Sequence, residues 1–111
     1  MTHNEICEVV TLGSDPEEMH AIVDSLLDSR LVAAGHVSAP VASRFAWAGQ
    51  IRAHYELRVT LHTRTSLFDQ VAAFIRNQHS YELPCVIATP ITLTTVEYRE
   101  WVLRLTEQPI P

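Results

Sequence analysis

The sequence predicts an α+β protein with a ferredoxin-like β-α-β-β-α-β sandwich, an antiparallel sheet and an added C-terminal helix. Three observations predict this fold. Strict alternation from residue 51 to residue 62 is typical of a long strand, and residues 16–30 carry apolar side chains at helical spacing. Strand and helix signals also follow one another in the ferredoxin-like order. The 111 residues are enough for one domain, which we expect to span 1–111.

The first strand and the first helix are predicted at the start of the chain. Residues 5–12 are rich in β-branched side chains and end at Gly13, which indicates a strand. Asp15 is a typical N-cap residue, and Pro16 suits the first position of a helix. We expect this helix to run to about Arg30, with one apolar stripe on it: Met19, Ile22, Val23, Leu26 and Leu27.

A long hairpin is predicted next. Residues 32–47 read as a strand that Pro40 interrupts, which favours an edge position or a bulge. Ala48-Gly49 is a plausible hairpin turn, since Gly tolerates a positive φ. In the strand that follows, one dry face is expected from these alternating residues: Ile51, Ala53, Tyr55, Leu57, Val59 and Leu61. The opposite face carries an Arg-Glu-Arg series at 52, 56 and 58, predicted to be a charged face.

The last third of the chain predicts a helix, a strand and another helix. We expect Thr65-Ser66 to cap the second helix, a loop to span 76–84, and a strand to occupy 85–90. Thr94-x-x-Glu97 resembles a capping box, which predicts the start of the third helix. The apolar stripe expected on that helix is Tyr98, Trp101, Val102 and Leu105.

Composition narrows the classes of function. The formal charge is −5, and all eight basic residues are Arg, so a concentrated basic face for nucleic acid is not expected. The missing Lys excludes Schiff-base chemistry from a side chain. No apolar run approaches the ~20 residues of a membrane span. Without a visible secretory signal we expect a cytoplasmic protein with Cys7 and Cys85 free.

Two segments carry a resemblance to a known family. Residues 79–91, HSYELPCVIATPI, pass from a polar cluster through Pro84 into an apolar run, and residues 43–51 read SRFAWAGQI. Both closely resemble signatures of the CutA family, the divalent-cation tolerance proteins, which have H-P-Y-x-x-P-E and S-x-[YF]-x-W-x-G-x-[IV] there. The resemblance implies a ferredoxin-like fold and a homotrimer assembled through the long hairpin and the uncovered sheet face. It also implies pockets between subunits that take a metal ion or a small ligand.

The chain departs from the family at several pocket positions. Ala34 stands where the family has Cys, His62 replaces a Lys, Ser80 replaces a Pro, and Cys85 replaces a Glu. His36 takes the place of an Asn or Gln. These exchanges remove two candidate metal ligands and add softer ones, suited to an ion of the copper or zinc class. The candidate metal ligands are His79, Cys85, His62 and His36.

Two other functions stay open from the sequence. In an enzyme, Cys85 would be the nucleophile and His79 its base, with Tyr81 and Glu82 donating, accepting or orienting. Hydrolysis or cyclisation of a small carbonyl substrate would suit this set. Alternatively, Cys85 is a small buried residue and His79 a loop cap, in a trimeric scaffold without pocket function. His54 and His62, about 26 Å apart on an extended strand, can share an ion only across subunits.

Overall fold

The computed structural model describes residues 5–109, which form one five-stranded sheet and three α-helices. A 3-10 turn at Thr65–Leu67 joins the fourth strand to the second helix. The elements are β1 (Ile6–Gly13), α1 (Pro16–Asp28), β2 (Ala34–Val37), β3 (Val41–Trp47), β4 (Gln50–Arg64), α2 (Phe68–Gln78), β5 (Val86–Pro90) and α3 (Val96–Leu105).

The sheet has the ferredoxin-like strand order. Its order is β2-β4-β1-β5, every pair is antiparallel, and β3 pairs with the outer part of β4. The predicted fold class is therefore confirmed. The interruption expected at Pro40 divides the predicted strand into β2 and β3, because this residue lies between two separate ladders on β4. Val37 pairs with Val59 before the break, and Val41 pairs with Glu56 after it.

Local signals account for α1 and for the hairpin turn. The Asp15 carboxylate accepts a hydrogen bond from Glu17 N at 3.0 Å, which satisfies an otherwise unpaired amide at the helix start. The turn at Ala48-Gly49 has φ of 51° and 76°. Two residues with positive φ match the right-handed twist of the flanking strands, so this two-residue turn sets the register of the hairpin.

The two later helices start differently from the prediction. Thr65 and Ser66 belong to the 3-10 turn, and among the described residues no side chain caps α2. A backbone hydrogen bond from Phe68 N to Thr65 O closes that turn instead. The predicted capping box at Thr94 is also wrong by one residue, because the Thr95 hydroxyl accepts from Tyr98 N at 3.2 Å. The helix α2 runs to Gln78, so the first three residues of the predicted loop 76–84 belong to the helix.

The helices cover both faces of the sheet, with α1 and α2 on one side. The main core lies between that side and β1 and β4, and includes Cys7, Val9 and Leu61. The appended helix α3 packs on the opposite side, where Val102 joins Ile6, whose side chain points away from α1 and α2. The prediction of helices on one face therefore holds only for the two sandwich helices.

The strand β4 changes its environment along its length. Leu57, Val59 and Leu61 are buried, as the alternation predicts, whereas Ile51 and Tyr55 are 82% and 72% exposed. The outer part of the β3–β4 hairpin extends away from the helices, which agrees with molecular extents of 45 × 28 × 23 Å. The dry face of β4 thus exists only over its inner half. Across residues 5–109, no helix combines the length and the apolar character of a membrane span.

Candidate functional site

His79, the C-cap residue of α2, is held by the backbone on both sides of its ring. Its Nε2 lies 2.7 Å from Leu12 O, and its Nδ1 lies 3.1 Å from Tyr81 N. A carbonyl can only accept and an amide can only donate, so these contacts assign the neutral tautomer with the proton on Nε2. The residue is 8% exposed. His79 thus joins the end of β1 to the loop after α2.

The loop after α2 is also fastened by its next two residues. Ser80 Oγ donates to Glu18 Oε2 at 3.1 Å, and the Tyr81 hydroxyl donates to Glu56 Oε2 at 2.8 Å. Burial raises the pKa of Tyr81, with the Glu56 carboxylate adding to the shift, so the hydroxyl stays a donor. Glu56 is only 6% exposed, so the predicted charged face is interrupted there, between the exposed Arg52 and Arg58. The buried carboxylate thus has the Tyr81 hydroxyl as a hydrogen-bond partner.

A cleft of about 720 Å³ opens between this loop and the hairpin. Tyr81 and Cys85 line it from the loop side, Glu56 from the sheet, and Phe45 and Trp47 from the hairpin. The Cys85 thiol is free and exposed, contrary to the buried alternative, whereas the free Cys7 is buried and has a raised pKa from that burial. The structure therefore brings Cys85, Tyr81 and Glu56 to one cleft. Glu82 is exposed and lines a neighbouring hollow with Trp47.

His62 and His36 lie in a different place, on the sheet face that carries α3. His62 Nε2 is 2.9 Å from Glu8 Oε2, and His62 Nδ1 is 2.6 Å from the Tyr98 hydroxyl. The ring of His36 stands edge-on to that of His62, with centroids 5.8 Å apart. Burial and the neighbouring Glu8 charge raise the pKa of Tyr98. The four side chains form a cluster that we call the Glu8–His62 cluster: Glu8, His36, His62 and Tyr98.

The four predicted metal ligands thus fall into separate places. His36 and His62 are neighbours, Cys85 lies in the cleft, and both ring nitrogens of His79 are engaged with the backbone. Within residues 5–109, no three His, Cys, Asp or Glu side chains stand arranged around a common metal position. Sequence reasoning missed Glu8, which β1–β4 register places directly opposite His62. Alternation along a strand predicts only the face on which a side chain such as Glu8 lies, and not its partner on another strand.

The fold and these sites define a class of protein: a ferredoxin-like α+β chain with a long protruding hairpin and an open cleft at its base. The sequence matches, over residues 7–104, the family described as CutA1 divalent ion tolerance protein. Because this match covers most of the chain, the protein belongs to the CutA family, as the motifs at 43–51 and 79–91 indicated.

Individual relatives agree with this assignment. The divalent-cation tolerance protein CutA of Archaeoglobus fulgidus is 34% identical over 86 residues, covering 78% of this chain and 83% of the relative. Human protein CutA is 30% identical over 86 residues, 78% of this chain but 48% of its own length. The chain thus spans about half the length of that relative.

Solved structures agree in fold. The structure of the periplasmic divalent cation tolerance protein CutA from Archaeoglobus fulgidus superposes with a TM-score of 0.89 at 29% identity, covering 92% of this chain and 99% of that one. CutA1 from Oryza sativa superposes with a TM-score of 0.90 at 24% identity, covering 97% of this chain and 100% of that one. The second similarity extends to the fold alone.

Proposed function

We propose that this CutA family member assembles as a homotrimer and binds a divalent metal ion or a small ligand in clefts between subunits, in the service of divalent-cation tolerance. The observation that carries the proposal is the exposed apolar hairpin beside an incomplete cleft. The trimer itself is what the family resemblance implies. The chain's own residues supply the physical reasons for it.

The outer hairpin supports assembly because it exposes apolar side chains that folding of one chain leaves in water. Ile51 and Tyr55 are largely exposed, and Val41, Phe45 and Trp47 are more than one third exposed. The β3–β4 register places Ile51 and Tyr55 on one face of the hairpin and the three β3 residues on the other, so both faces expose apolar surface. Exposed apolar surface of this kind marks interaction sites. Within the described chain, β3 pairs with β4 on one side and leaves its other edge open. A second subunit that covers this edge would satisfy its backbone groups and prevent non-specific pairing.

The cleft supports ligand binding because its wall combines a buried carboxylate, a hydroxyl donor and an exposed thiol. Glu56 and Tyr81 are already positioned by their mutual hydrogen bond, which reduces the cost of organising them around a ligand. Cys85 adds a soft ligand for an ion of the copper or zinc class. The hairpin of a neighbouring subunit would close the open side. Since His79 is engaged by the backbone, its part in the cleft is to hold Tyr81 in place.

Native mass spectrometry of protein purified without chelator tests the assembly. We expect a mass of three chains, with a retained metal ion or small molecule. The double variant Ile51→Asp, Tyr55→Asp places charge on the exposed hairpin tip, where it leaves the core untouched. It should give monomers with an unchanged far-ultraviolet circular dichroism spectrum. A monomeric wild-type protein would overturn the proposal.

Metal titration of Cys85→Ser tests the cleft as the binding place. The variant should weaken binding of Cu²⁺ or Zn²⁺ to the trimer, while Cys7→Ser, which alters a buried thiol far from the cleft wall, serves as the matched control. Equal affinities for wild type and both variants would remove Cys85 from the ligand set. The trimer would then be supported by native mass spectrometry alone.

We also propose a cytoplasmic location, supported by two free thiols, one of which is exposed. An exposed thiol persists most readily in a reducing compartment. Fractionation of cells that express the natural gene tests this, and recovery with a periplasmic or organellar marker would overturn it.

A further inference from the structure

We propose that the hollow next to the cleft, lined by both Arg52 and Glu82, binds a free α-amino acid with an aromatic side chain. This space, which we call the aromatic hollow, has a volume of about 250 Å³ and an apolar wall of four residues: Phe45, Trp47, Tyr81 and Leu83. The inference rests on the small-ligand half of the proposed function and names the class of that ligand. It requires no metal ion.

The β3–β4 register builds one wall of the aromatic hollow. Phe45 on β3 pairs directly with Arg52 on β4. Alternation along β3 places Trp47 on the same face as Phe45, so both rings lie on the face that carries the guanidinium. The Phe45 ring also stacks on His54, with centroids 5.4 Å apart and ring planes 28° apart. Because paired strands hold these rings, this wall exists before a ligand arrives.

The loop after α2 supplies the other wall. Tyr81 is fixed in that loop at both ends, since its hydroxyl donates to Glu56 Oε2 at 2.8 Å and its amide donates to His79 Nδ1 at 3.1 Å. The next two residues, Glu82 and Leu83, also line the hollow. Leu83 is 71% exposed. A ligand with an apolar body would therefore remove apolar surface of the loop from water, which favours binding.

Two opposite charges line the aromatic hollow without neutralising each other. Arg52 and Glu82 are both exposed, and across residues 5–109 neither forms an ion pair. A free α-amino acid carries a carboxylate and an ammonium group at neutral pH. The planar guanidinium of Arg52 suits the carboxylate, to which it can donate two parallel hydrogen bonds. The carboxylate of Glu82 suits the ammonium group. One zwitterion thus satisfies both side chains.

The same two charges discriminate against simpler ligands. An aromatic carboxylate without an amino group would cover Glu82 and leave it unpaired, and an aromatic amine without a carboxylate would do the same to Arg52. A charge that loses water without gaining a partner weakens binding. The volume of about 250 Å³ lies below the roughly 300–1,000 Å³ of pockets for drug-sized ligands. It suits one amino acid, whose ring would stack on Phe45 or Trp47.

Calorimetric titration of the full-length protein with L-phenylalanine tests the site. Hydrocinnamate, which lacks the amino group, and phenethylamine, which lacks the carboxylate, are the matched probes. Each should bind about 10–100-fold more weakly than L-phenylalanine, because one charge-assisted hydrogen-bonded contact is lost. Arg52→Gln should weaken L-phenylalanine by a similar factor without weakening phenethylamine. Glu82→Gln should weaken L-phenylalanine without weakening hydrocinnamate.

Arg58→Gln is the matched control, because Arg58 is another exposed arginine of β4 and does not line the aromatic hollow. It should bind L-phenylalanine as wild type does. Arg52, Glu82 and Arg58 are all exposed, so the three variants should keep the wild-type circular dichroism spectrum. Loss of L-phenylalanine affinity in Arg52→Gln and Glu82→Gln, but not in Arg58→Gln, supports the inference. Hydrocinnamate that binds as tightly as L-phenylalanine overturns it, as does wild-type affinity in both hollow variants.

The outcomes separate this inference from the proposed function. A trimer that binds Cu²⁺ or Zn²⁺ through Cys85 but does not bind L-phenylalanine overturns the inference and leaves the proposed function standing. A monomeric wild-type protein overturns the proposed trimer. Binding of L-phenylalanine to that monomer, with the same dependence on Arg52 and Glu82, still supports the aromatic hollow, because one chain supplies all of its lining residues.

Discussion

The inner and outer halves of β4 belong to one continuous strand but lie in different surroundings. In the inner half, Leu57, Val59 and Leu61 are buried beneath α1 and α2, between β1 and β2. In the outer half, Ile51 and Tyr55 have the same apolar character and the same spacing, yet most of their surface is in water. The difference arises because α1, α2 and β1 end before they reach the hairpin tip.

This contrast distinguishes residues that stabilise the fold of a single chain from residues that would become buried only on assembly. Burial of a large apolar side chain contributes about 1.5–3 kcal/mol, so the inner half holds the fold of the single chain together. The outer half contributes little to that fold and offers its surface to a partner. The cleft with Cys85 lies at the boundary between the two halves, which is where an arriving subunit would meet pre-positioned side chains.

Truncation of Leu61 should give the largest effect. Leu61→Ala removes a fully buried side chain and should lower the free energy of unfolding by about 3–5 kcal/mol at every protein concentration. Ile51→Ala, the matched change at the tip, should act only through assembly. Its effect on the melting temperature should therefore depend on protein concentration. Chemical denaturation and thermal unfolding, each at two protein concentrations, measure the two effects. An equal, concentration-independent loss in both variants would contradict the contrast.

Removal of the His79 ring should have the second-largest effect on stability. His79→Ala leaves Leu12 O and Tyr81 N without their partner, and should cost about 2–4 kcal/mol of unfolding free energy, since each unpaired buried group costs about 1–3. Exposed His20→Ala is the control. Hydrogen exchange of the Tyr81 amide reports the local opening directly, and an amide as protected as in wild type would show that the ring does not anchor the loop.

Loss of the Tyr81 hydroxyl should have a smaller effect that depends on pH. Tyr81→Phe removes the donor to buried Glu56 and should cost about 1–2 kcal/mol. The folded pKa of Tyr81 is raised by burial above its ordinary value of 10.0, so the contribution is present below that pH and is lost as the pH rises through the folded pKa. The wild type should therefore approach the stability of the variant in alkali. Parallel curves at all pH values would contradict this.

Thiol labelling should change stability least and still distinguish the two regions. At pH 8 an alkylating reagent should label exposed Cys85 rapidly and Cys7 slowly, because burial raises the Cys7 pKa above its ordinary value of 9.0 and blocks access. Mass spectrometry of the two peptides over time measures the ratio. If assembly covers the cleft, dilution should accelerate labelling of Cys85 but not of Cys7.

Much of the fold could be predicted because it depends on local chemistry. Asp15 and Pro16 begin α1, and Gly49 readily adopts the positive φ that the hairpin turn requires at its second position. The caps of α2 and α3 were predicted less well. Adjacent hydroxyl residues such as Thr94 and Thr95 offer nearly equivalent caps. In the structure Thr95 accepts from Tyr98 N, while the Thr94 hydroxyl donates to Thr95 O.

The candidate sites could be predicted only in part. The motif at 79–91 identified His79, Tyr81 and Cys85 as special, but it did not indicate that the backbone engages both nitrogens of His79. No sequence motif indicated that Glu8 and Tyr98 contact His62, because the two residues lie 54 and 36 positions from it in the sequence. Contacts of this range depend on strand register and on the placement of α3.

The sequence by itself determined the order of the elements, the strand and helix periodicities, and the membership of the CutA family, because these depend on neighbouring residues and on motif spacing. Only the tertiary structure decided which of two equally apolar stretches of β4 is buried, that Glu56 lies beneath Tyr81, and that Glu8, His36 and His62 share one face. Such pairings require chain segments far apart in sequence to meet, and periodicity within one segment contains no information about its partner.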